Sequence, residues 1–331
     1  MTGFSIIICT YNPNEVTFQR LLLALSQFRK TNFPYEIVLV DNNSTPSISE
    51  RDIVKQFSTS VDDIQVICEK NPGLTAARVT GIVRTIYDWV IFFDDDNEPA
   101  EDYLLQIKLL IEKYPQVGAW GPGKITVNYI NQIETAFLKK IKWLFQERQY
   151  EGTFFEKNIV EGSEYYPFGT GMVVRKDVLL EYVSRVNAGR YTMSDRKGKS
   201  LMSAGDIQIL FTCLQRGYFA GSSNILKLTH IIDISKANPK YAARLVYALN
   251  SSQLKAYQEV FTDQKLETNR ITNNDVLKVV YSALRLYSLN SINYTRKMYL
   301  CKRLGELNAR VIASDLKPPY LLSLFERVIH S

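Results

Sequence analysis

The sequence has few of the residues that bind soft metals or form disulfides. It contains two histidines and four cysteines among 331 residues, and the cysteines lack the close spacing of a zinc site or a disulfide framework. Two of the cysteines, Cys9 and Cys68, fall in predicted buried strands, so we expect free thiols that are mostly in the core. No apolar run reaches the length of a membrane span, and residues 1–10 lack the layout of a signal peptide. These absences predict a cytoplasmic protein without disulfides.

The charge balance is only modestly positive. Forty Lys and Arg face 34 Asp and Glu, which gives a net charge of +6. That excess suits anionic sugar nucleotides, anionic lipid surfaces or nucleic acid, and the charge alone does not choose among them. No nucleic-acid-binding motif is present, so we expect no nucleic-acid partner.

Strand and helix patterns alternate through the first 93 residues. Strands are predicted at 5–10, 36–40, 64–68 and in the run that ends at Phe93, and helices are predicted at 15–30, 48–58 and 74–85. This βαβ repetition predicts a parallel sheet that binds its ligands at the carboxyl ends of the strands.

Three consecutive aspartates, Asp94, Asp95 and Asp96, follow the apolar run 89–93. Three anions at one strand end repel one another unless a cation or a dense set of hydrogen-bond donors neutralises them, and a hard divalent metal that carries a phosphate ester is the natural candidate. The alternative is a solvated acidic turn that caps the helix predicted to begin near Glu101.

Two other strand ends carry polar residues that suit the same pocket. They are Thr10, Tyr11 and Asn12 after the first strand, and residues 41–44, which include Asp41, after the second. Each group by itself is also compatible with ordinary turn chemistry. Their common position at one edge of one sheet favours a ligand pocket.

The order and spacing of six segments resemble family 2 glycosyltransferases of the GT-A fold. The segments are SIIICTYN at 5–12, VDNNS at 40–44, NPGLTAAR at 71–78, FFDDDN at 92–97, FGTGMVVRKDVL at 168–179 and DRKGKSLMSAGDIQI at 195–209. The resemblance implies an α/β fold with a single Rossmann-like, mostly parallel sheet flanked by helices. It also implies a catalytic domain at 1–235, with a nucleotide-binding half at 1–97 and an acceptor-side half at 98–235, followed by a helical extension at 236–331.

The resemblance also implies what the pocket binds. A nucleoside-diphosphate sugar would be the donor, and a divalent metal, Mn²⁺ or Mg²⁺, would be held by Asp96 and His230. Contacts with the sugar nucleotide are implied for Thr10, Tyr11, Asn12, Asp41, Arg78, Asp94, Asp95, Gly171, Arg196 and Lys199. The alternatives are a structural role for His230 and a surface position for Arg78.

Asp206 is the candidate general base that takes a proton from the acceptor hydroxyl in an inverting transfer. The family usually has Glu-Asp here, whereas this chain has Gly205 before Asp206, so one acid is missing. Asp206 would otherwise be an acid in the first turn of a helix capped by Ser203. The basic segment 195–200, just before it, is either a loop that closes over the sugar diphosphate or a solvated basic loop.

Helices are predicted in the last third of the chain at 239–260, 275–289 and 294–313. Cations outnumber acids there, and apolar residues such as Tyr281, Leu284 and Leu304 lie between them. This pattern is compatible with contact to an anionic membrane, with a helical cap on the catalytic domain, or with a homodimer interface.

Together these observations predict a metal-dependent, inverting glycosyltransferase. It would move a sugar to a hydroxyl of a glycan or lipid-linked glycan, in cell-surface polysaccharide synthesis. A nucleotidyltransferase or sugar-nucleotide pyrophosphorylase is the alternative enzyme, but it would need a glycine-rich basic loop after the first strand, and residues 10–14 contain none. A non-catalytic nucleotide-binding module is the third possibility, and it predicts that Asp206 can be changed without effect.

Overall fold

The computed structural model describes residues 3–30, 33–157, 163–193, 195–196, 198, 200–263, 270–286 and 293–330. Its contacts divide the chain into two compact units. The first consists of Met1–Arg190 and Ile209–Asp233, and the second of Tyr191–Gln208 and Ile234–Ser331. The predicted boundary at residue 235 and the two predicted halves of the catalytic domain stay predictions.

The first unit begins with four parallel strands in the order β3-β2-β1-β4. Their bounds are Phe4–Thr10 for β1, Tyr35–Asp41 for β2, Ile64–Cys68 for β3 and Trp89–Asp94 for β4. Helices connect them: α1 at Glu15–Ser26, which continues as a 3₁₀ turn at Gln27–Lys30, α2 at Asp52–Ser60 after a 3₁₀ turn at Ile48–Glu50, and α3 at Leu74–Arg84. The predicted alternation is therefore confirmed.

Local sequence explains where these elements begin and what they bury. The side chain of Asn14 accepts hydrogen bonds from the backbone N–H groups of Val16 and Thr17, which caps the start of α1. Strand β1 is buried along almost its whole length, as expected for a parallel strand covered on both faces.

Beyond β4 the sheet becomes mixed. Its strands are β5 at Asn97–Pro99, β6 at Val117–Tyr129, β7 at Arg148–Gln149, β8 at Thr153–Glu156, β9 at Met172–Arg175 and β10 at Phe219–Ile232. Strand β9 runs antiparallel to both β4 and β6, β10 is parallel to β6, and β5 is antiparallel to β10. The predicted α/β class is confirmed: β1 to β4 are parallel to one another, and β6 and β10 form a further parallel pair.

Four helices accompany this part of the sheet: α4 at Tyr103–Lys113, α5 at Ala136–Ile141 with a 3₁₀ turn at Lys142–Phe145, α6 at Lys176–Asn187, and α7 at Gly205–Gln215. The ring of Tyr103 meets Phe93 edge to face, with 5.3 Å between ring centroids. Tyr103 is fully buried, which raises the pKa of its hydroxyl above the ordinary value. Large aromatic side chains of this kind contribute most to such a core.

The second unit is helical over its C-terminal part. It contains α8 at Pro239–Val260, α9 at Asn273–Leu286, α10 at Asn293–Ala313 and α11 at Tyr320–His330. The prediction missed α11. A Cβ on Gly305 of α10 would lie 2.6 Å from the carbonyl oxygen of Tyr247, so glycine permits the close packing of α10 against α8. None of the helices in the described ranges is both long and apolar enough to cross a bilayer.

The cysteines agree only partly with the expectation of core thiols. Cys213 and Cys301 are buried, and burial raises the pKa of Cys301 to about 11. Cys9 is half-buried, and Cys68 is exposed. The expectation is therefore wrong for Cys68, because β3 is the edge strand of the sheet and is covered less completely.

Candidate active site

The ends of three neighbouring strands lie side by side, as the βαβ pattern predicts. The strand register pairs Thr10 with Asp41, and Cys9 with Asp94. The polar residues after β1, β2 and β4 are therefore at one edge of the sheet. A separate groove of about 470 Å³, lined in part by Lys124 and Lys227, contains none of the predicted site residues.

The three aspartates of the triplet have three different partners. Asp94 Oδ2 accepts a hydrogen bond from the Thr170 hydroxyl at 3.1 Å, and Asp95 accepts one from the Thr10 hydroxyl. Asp96 lies beside His230. The triplet therefore connects β1, the segment just before β9, and β10, which argues against a simple solvated turn.

Asp96 and His230 form a close and largely buried pair. Asp96 Oδ1 is 3.2 Å from His230 Nε2, and the two residues are 5% and 9% exposed. The backbone fixes this contact, because His230 pairs with Asn97 in the antiparallel β5–β10 ladder and Ile231 N donates to Asp96 O at 2.8 Å. The predicted metal ligands are thus brought together.

A backbone carbonyl determines the tautomer of His230. Its Nδ1 lies 2.9 Å from the carbonyl oxygen of Phe145, and a carbonyl can only accept, so Nδ1 carries the proton. The Nε2 atom, which faces Asp96, is then the nitrogen that can coordinate a metal. Sequence reasoning missed Phe145, because a main-chain carbonyl leaves no signal in the residue type.

A carboxylate and an imidazole nitrogen are suitable ligands for Mn²⁺, and the carboxylate suits Mg²⁺. Among the described residues, no group of three or more His, Cys, Asp and Glu side chains could hold a metal ion. Asp96 and His230 therefore fit a divalent ion only if its remaining ligands are supplied by other groups, such as water or a bound diphosphate.

The Asp41 carboxylate accepts hydrogen bonds from the loop that follows β2. Its Oδ1 accepts from Ser44 N at 2.8 Å, and its Oδ2 accepts from Ser47 Oγ and Ile48 N, both at 3.0 Å. Burial alone would raise the pKa of Asp41, but the hydrogen bonds from Ser44, Ile48 and Ser47 outweigh it and hold the pKa below the ordinary value. Its contact with a nucleotide stays a prediction.

The loops after β1 and β2 are joined to each other. Asn12 N donates to Ser44 Oγ, and Asn12 Oδ1 accepts from Thr45 N, both at 2.8 Å. Asn12 has a φ of 46°, in the left-handed region that asparagine tolerates. Between Thr10, which is buried, and Asn12, the ring of Tyr11 is exposed and available to a ligand.

Arg78 is buried in α3, at 5% exposure. The alternative of a surface cation is therefore wrong, because this helix packs on β1 and β2. The start of α3 is fixed by Asn42, whose Oδ1 accepts from Gly73 N at 2.8 Å. Gly73 has a φ of 123°, which favours glycine at that position.

The segment just before β9 is held tightly at Gly171. Its carbonyl oxygen accepts a hydrogen bond of 2.6 Å from the buried hydroxyl of Tyr103. Its φ is 69°, and a Cβ there would lie 2.6 Å from Leu228 Cδ2. Gly171 therefore shapes the backbone next to Thr170, the partner of Asp94.

Arg148, which sequence reasoning did not single out, supports the same segment. Its guanidinium donates to Tyr166 O at 3.0 Å and to Ser222 Oγ at 2.9 Å, and it lies 3.8 Å from the centroid of the Phe168 ring. Burial lowers its pKa to about 10, so it stays protonated at neutral pH.

The predicted catalytic loop belongs to the second unit. Asp206 is in the first turn of α7, and its Oδ1 accepts from Ile207 N at 3.0 Å. Ser203 is not the cap, because Gln208 N donates to Ala204 O and the helix begins at Gly205.

In the basic segment 195–200, Asp195 is fully buried, so the segment is not solvated throughout. Arg196 N donates to Met202 O at 2.8 Å, and Lys199 lies outside the described residues.

Comparison with known proteins identifies related sequences. Residues 5–183, which are more than half of the chain, match the model of Glycosyl transferase family 2. Glycosyltransferase GlyA of Streptococcus pneumoniae is 29% identical over 167 residues, 50% of this chain and 22% of GlyA. Chondroitin synthase of Pasteurella multocida is 33% identical over 101 residues, 30% of this chain and 10% of that protein. The matched part thus spans less than a quarter of either relative.

A solved structure shows the same fold. The crystal structure of GalNAc-T7 with UDP, GalNAc and Mn²⁺ matches with a TM-score of 0.53 and 16% identity, over 95% of this chain and 58% of that one. The predicted GT-A fold is confirmed.

Proposed function

The chain belongs to glycosyl transferase family 2, and we propose that it transfers a sugar from a nucleoside-diphosphate sugar to a hydroxyl of a glycan or lipid-linked glycan. The observation that carries the proposal is the Asp96–His230 pair at the carboxyl edge of the sheet. The names of the relatives, a glycosyltransferase and a chondroitin synthase, support a role in polysaccharide synthesis.

Asp96 and His230 would hold a divalent ion, Mn²⁺ or Mg²⁺, which neutralises the charge that develops on the diphosphate leaving group. Thr10 and Thr170 orient the other two carboxylates of the triplet, Asp95 and Asp94. Asp94 would contact the ribose, Asp95 would lie beside the sugar nucleotide without a more specific assignment, and the exposed ring of Tyr11 would contact the base. GalNAc-T7 was crystallised with UDP and Mn²⁺, so UDP-sugars with Mn²⁺ are the first donors to test.

Asp206 is the proposed general base of an inverting transfer. The acceptor hydroxyl forms a bond to the anomeric carbon and gives its proton to the Asp206 carboxylate, while the bond to the diphosphate breaks and its electron pair leaves with the phosphate. Gly205 occupies the position where the family usually has glutamate. The proposal therefore assigns the proton transfer to a single carboxylate.

The experiment is a donor panel with the purified chain. Nucleoside-diphosphate sugars are tested with Mn²⁺, with Mg²⁺ and with a chelator, and the melting temperature and release of nucleoside diphosphate are recorded. Slow hydrolysis of the correct sugar donor by water gives a readout that needs no acceptor. We expect one donor to bind in a metal-dependent way and to release its diphosphate.

The same panel separates the alternatives. Pyrophosphate formation from a nucleoside triphosphate would indicate a nucleotidyltransferase. Metal-dependent binding without turnover, for any donor and any glycan acceptor, would indicate a binding module. If no sugar nucleotide raises the melting temperature with either ion, the proposed function is wrong.

A further inference from the structure

The net positive charge of the chain comes from its last part. Residues 270–331 contain ten Lys and Arg but four Asp and Glu. Since the whole chain has 40 and 34, residues 1–269 hold 30 of each and are neutral overall. Nine of the ten cations are exposed. The net charge of +6 is thus a local property of helices α9, α10 and α11 and the segments next to them.

Helix α9 exposes an apolar stripe beside two of these cations. Leu277, Tyr281 and Leu284 are each more than half exposed, and their spacing places them on one face of the helix. Lys278 and Arg285, also exposed, are adjacent to this stripe around the helix. The opposite face is buried, with Val276 and Ala283 in the core of the unit, so the stripe is additional to the packed face.

Helix α11 repeats the arrangement. Tyr320, Leu324 and Val328 lie one turn apart and are between 43% and 72% exposed, and the exposed Arg327 borders them. Leu322 forms part of the buried face. The two helices pack together, and their first turns are joined by a 3.0 Å hydrogen bond from Leu321 N to the Asn273 side chain.

We propose that the exposed faces of α9 and α11 bind the surface of a bilayer that contains anionic lipids. Helices that lie in a membrane interface combine an apolar stripe with flanking Lys and Arg, as these two do. The cations would meet lipid headgroups, and the leucine and valine side chains would enter the headgroup boundary. The inference goes beyond the proposed transfer reaction and does not depend on it.

Other occupants fit these faces less well. Nucleic acid or another soluble polyanion would bind the cations but would leave Leu277, Leu324 and Val328 in water. A second copy of the chain would cover the apolar stripes but would bring two surfaces of the same positive charge together. An anionic bilayer is complementary to both features.

The test is co-sedimentation of the full chain with lipid vesicles. One set contains phosphatidylcholine alone, and the other adds phosphatidylglycerol to about a third of the lipid. We expect binding to the anionic vesicles at about 0.1 M salt and marked weakening at about 0.5 M, where charges on the surface are screened. Equal binding to both kinds of vesicle at low salt, or binding to neither, would overturn the proposal.

Two variants test the two features separately. The stripe variant carries Leu277→Ser, Tyr281→Ser and Leu284→Ser. The charge variant carries Lys278→Glu, Arg285→Glu and Arg327→Glu. Because all six side chains are exposed, the melting temperature should change little. Each variant should bind anionic vesicles at least about tenfold more weakly than the wild type.

Matched changes in the first unit serve as controls. Val83→Ser, Ile86→Ser and Leu180→Ser remove comparably exposed apolar side chains, and Lys55→Glu, Arg84→Glu and Lys139→Glu reverse three exposed cations. These controls should retain vesicle binding.

Sedimentation velocity tests the remaining alternative, a second copy of the chain on the stripe. If the wild type is a dimer, the stripe variant is a monomer and neither binds vesicles, then a second copy covers the stripe and the proposal is wrong.

Discussion

His230 shows how a single hydrogen bond determines which ring nitrogen of a proposed metal ligand can coordinate. The Phe145 carbonyl accepts a hydrogen bond from Nδ1–H, so the lone pair of a neutral ring is on Nε2, next to the carboxylate of Asp96. An outer partner of this kind orients a ligating imidazole and raises its basicity. The two side chains therefore act as one unit, and removal of either should weaken metal-dependent binding.

Asp96→Asn should remove the metal dependence of sugar-nucleotide binding. An amide oxygen is neutral and holds a divalent ion more weakly than a carboxylate, so we expect affinity in Mn²⁺ to fall by at least about tenfold. Titration calorimetry with and without metal measures the change. The exposed Asp88→Asn is the control, and an Asp96→Asn variant with wild-type metal dependence would contradict the assignment.

Gly171→Ala should be more destabilising than the same change at Gly189. Both residues have φ near 70°, so both alanines pay for a left-handed backbone. Only Gly171 is crowded, however, since its Cβ would meet Leu228 and the Tyr103 hydroxyl, whereas nothing lies within 4 Å at Gly189. In urea unfolding, we expect the free energy of unfolding to fall by about 2–4 kcal/mol for Gly171→Ala and by about 1 kcal/mol for Gly189→Ala. Equal losses would show that packing at Gly171 is unimportant.

At the residue scale, only those site residues could be predicted from the sequence whose residue type itself indicates a chemical role. The triplet and His230 were predicted together, and the strand register brings Asp96 and His230 within contact. Phe145 and Arg148 were not predicted. Phe145 acts through its backbone carbonyl, and Arg148 acts through backbone oxygens and aromatic rings far away in sequence.

At the element scale, prediction succeeded where local signals are strong. Strand β3 and helix α8 have the predicted bounds, and α8 begins with Asn238 as cap and Pro239 in its first turn. Helix α11 was missed although Pro318 and Pro319 lie just before it, a position where proline is common at helix starts. The mixed order of β5 to β10 depends on pairings between distant strands, which periodicity does not reveal.

The loop after β2 should show a pH-dependent stability that depends on Asp41. Asp41→Asn would place an amide N–H group against the N–H of Ser44 or Ile48. We therefore expect the free energy of unfolding at pH 7 to fall by about 1–3 kcal/mol. Because the folded-state pKa of Asp41 is lowered, its stabilisation is complete above the ordinary value near 3.8 and is lost as the pH falls through the folded value.

Urea unfolding of the wild type and of Asp41→Asn is measured from pH 7 down to about pH 3. The difference between their free energies of unfolding should shrink only at the acidic end. Asp52→Asn is the control, since that carboxylate is exposed and its side chain contacts only Lys55 at 3.4 Å in the described structure; its effect should stay below about 0.5 kcal/mol at every pH. A difference for Asp41→Asn that grows on acidification would have the wrong sign for this account.

At the scale of the whole molecule, two properties are separated along the sequence. The neutral part, 1–269, contains all the segments that resemble the family, and the basic part, 270–331, contains the two helices with exposed apolar stripes. The proposed chemistry and the proposed lipid contact therefore rest on different residues. Variants of α9 and α11 should leave sugar-nucleotide binding intact, while Asp96→Asn should leave vesicle binding intact.

The melting temperature should report binding of the correct sugar donor. A ligand at about a hundred times its dissociation constant stabilises the folded state by about 2.7 kcal/mol, which corresponds to a rise in melting temperature of roughly 4 °C for a chain of this size. The shift should require Mn²⁺ or Mg²⁺ and should disappear in Asp96→Asn. A shift of the same size in the presence of a chelator would exclude a role for the metal in donor binding.

Asp206→Asn should separate binding from chemistry. The amide Oδ1 can still accept the hydrogen bond from Ile207 N, so the start of α7 should be preserved, but the amide cannot take a proton from the acceptor. Turnover should therefore fall by about a hundredfold or more, while the metal-dependent rise in melting temperature stays at the wild-type value. Diphosphate release and thermal shift, measured on the same preparation, test both parts. Wild-type turnover in Asp206→Asn would move the general base to another residue, and a lost thermal shift would show that Asp206 acts in binding.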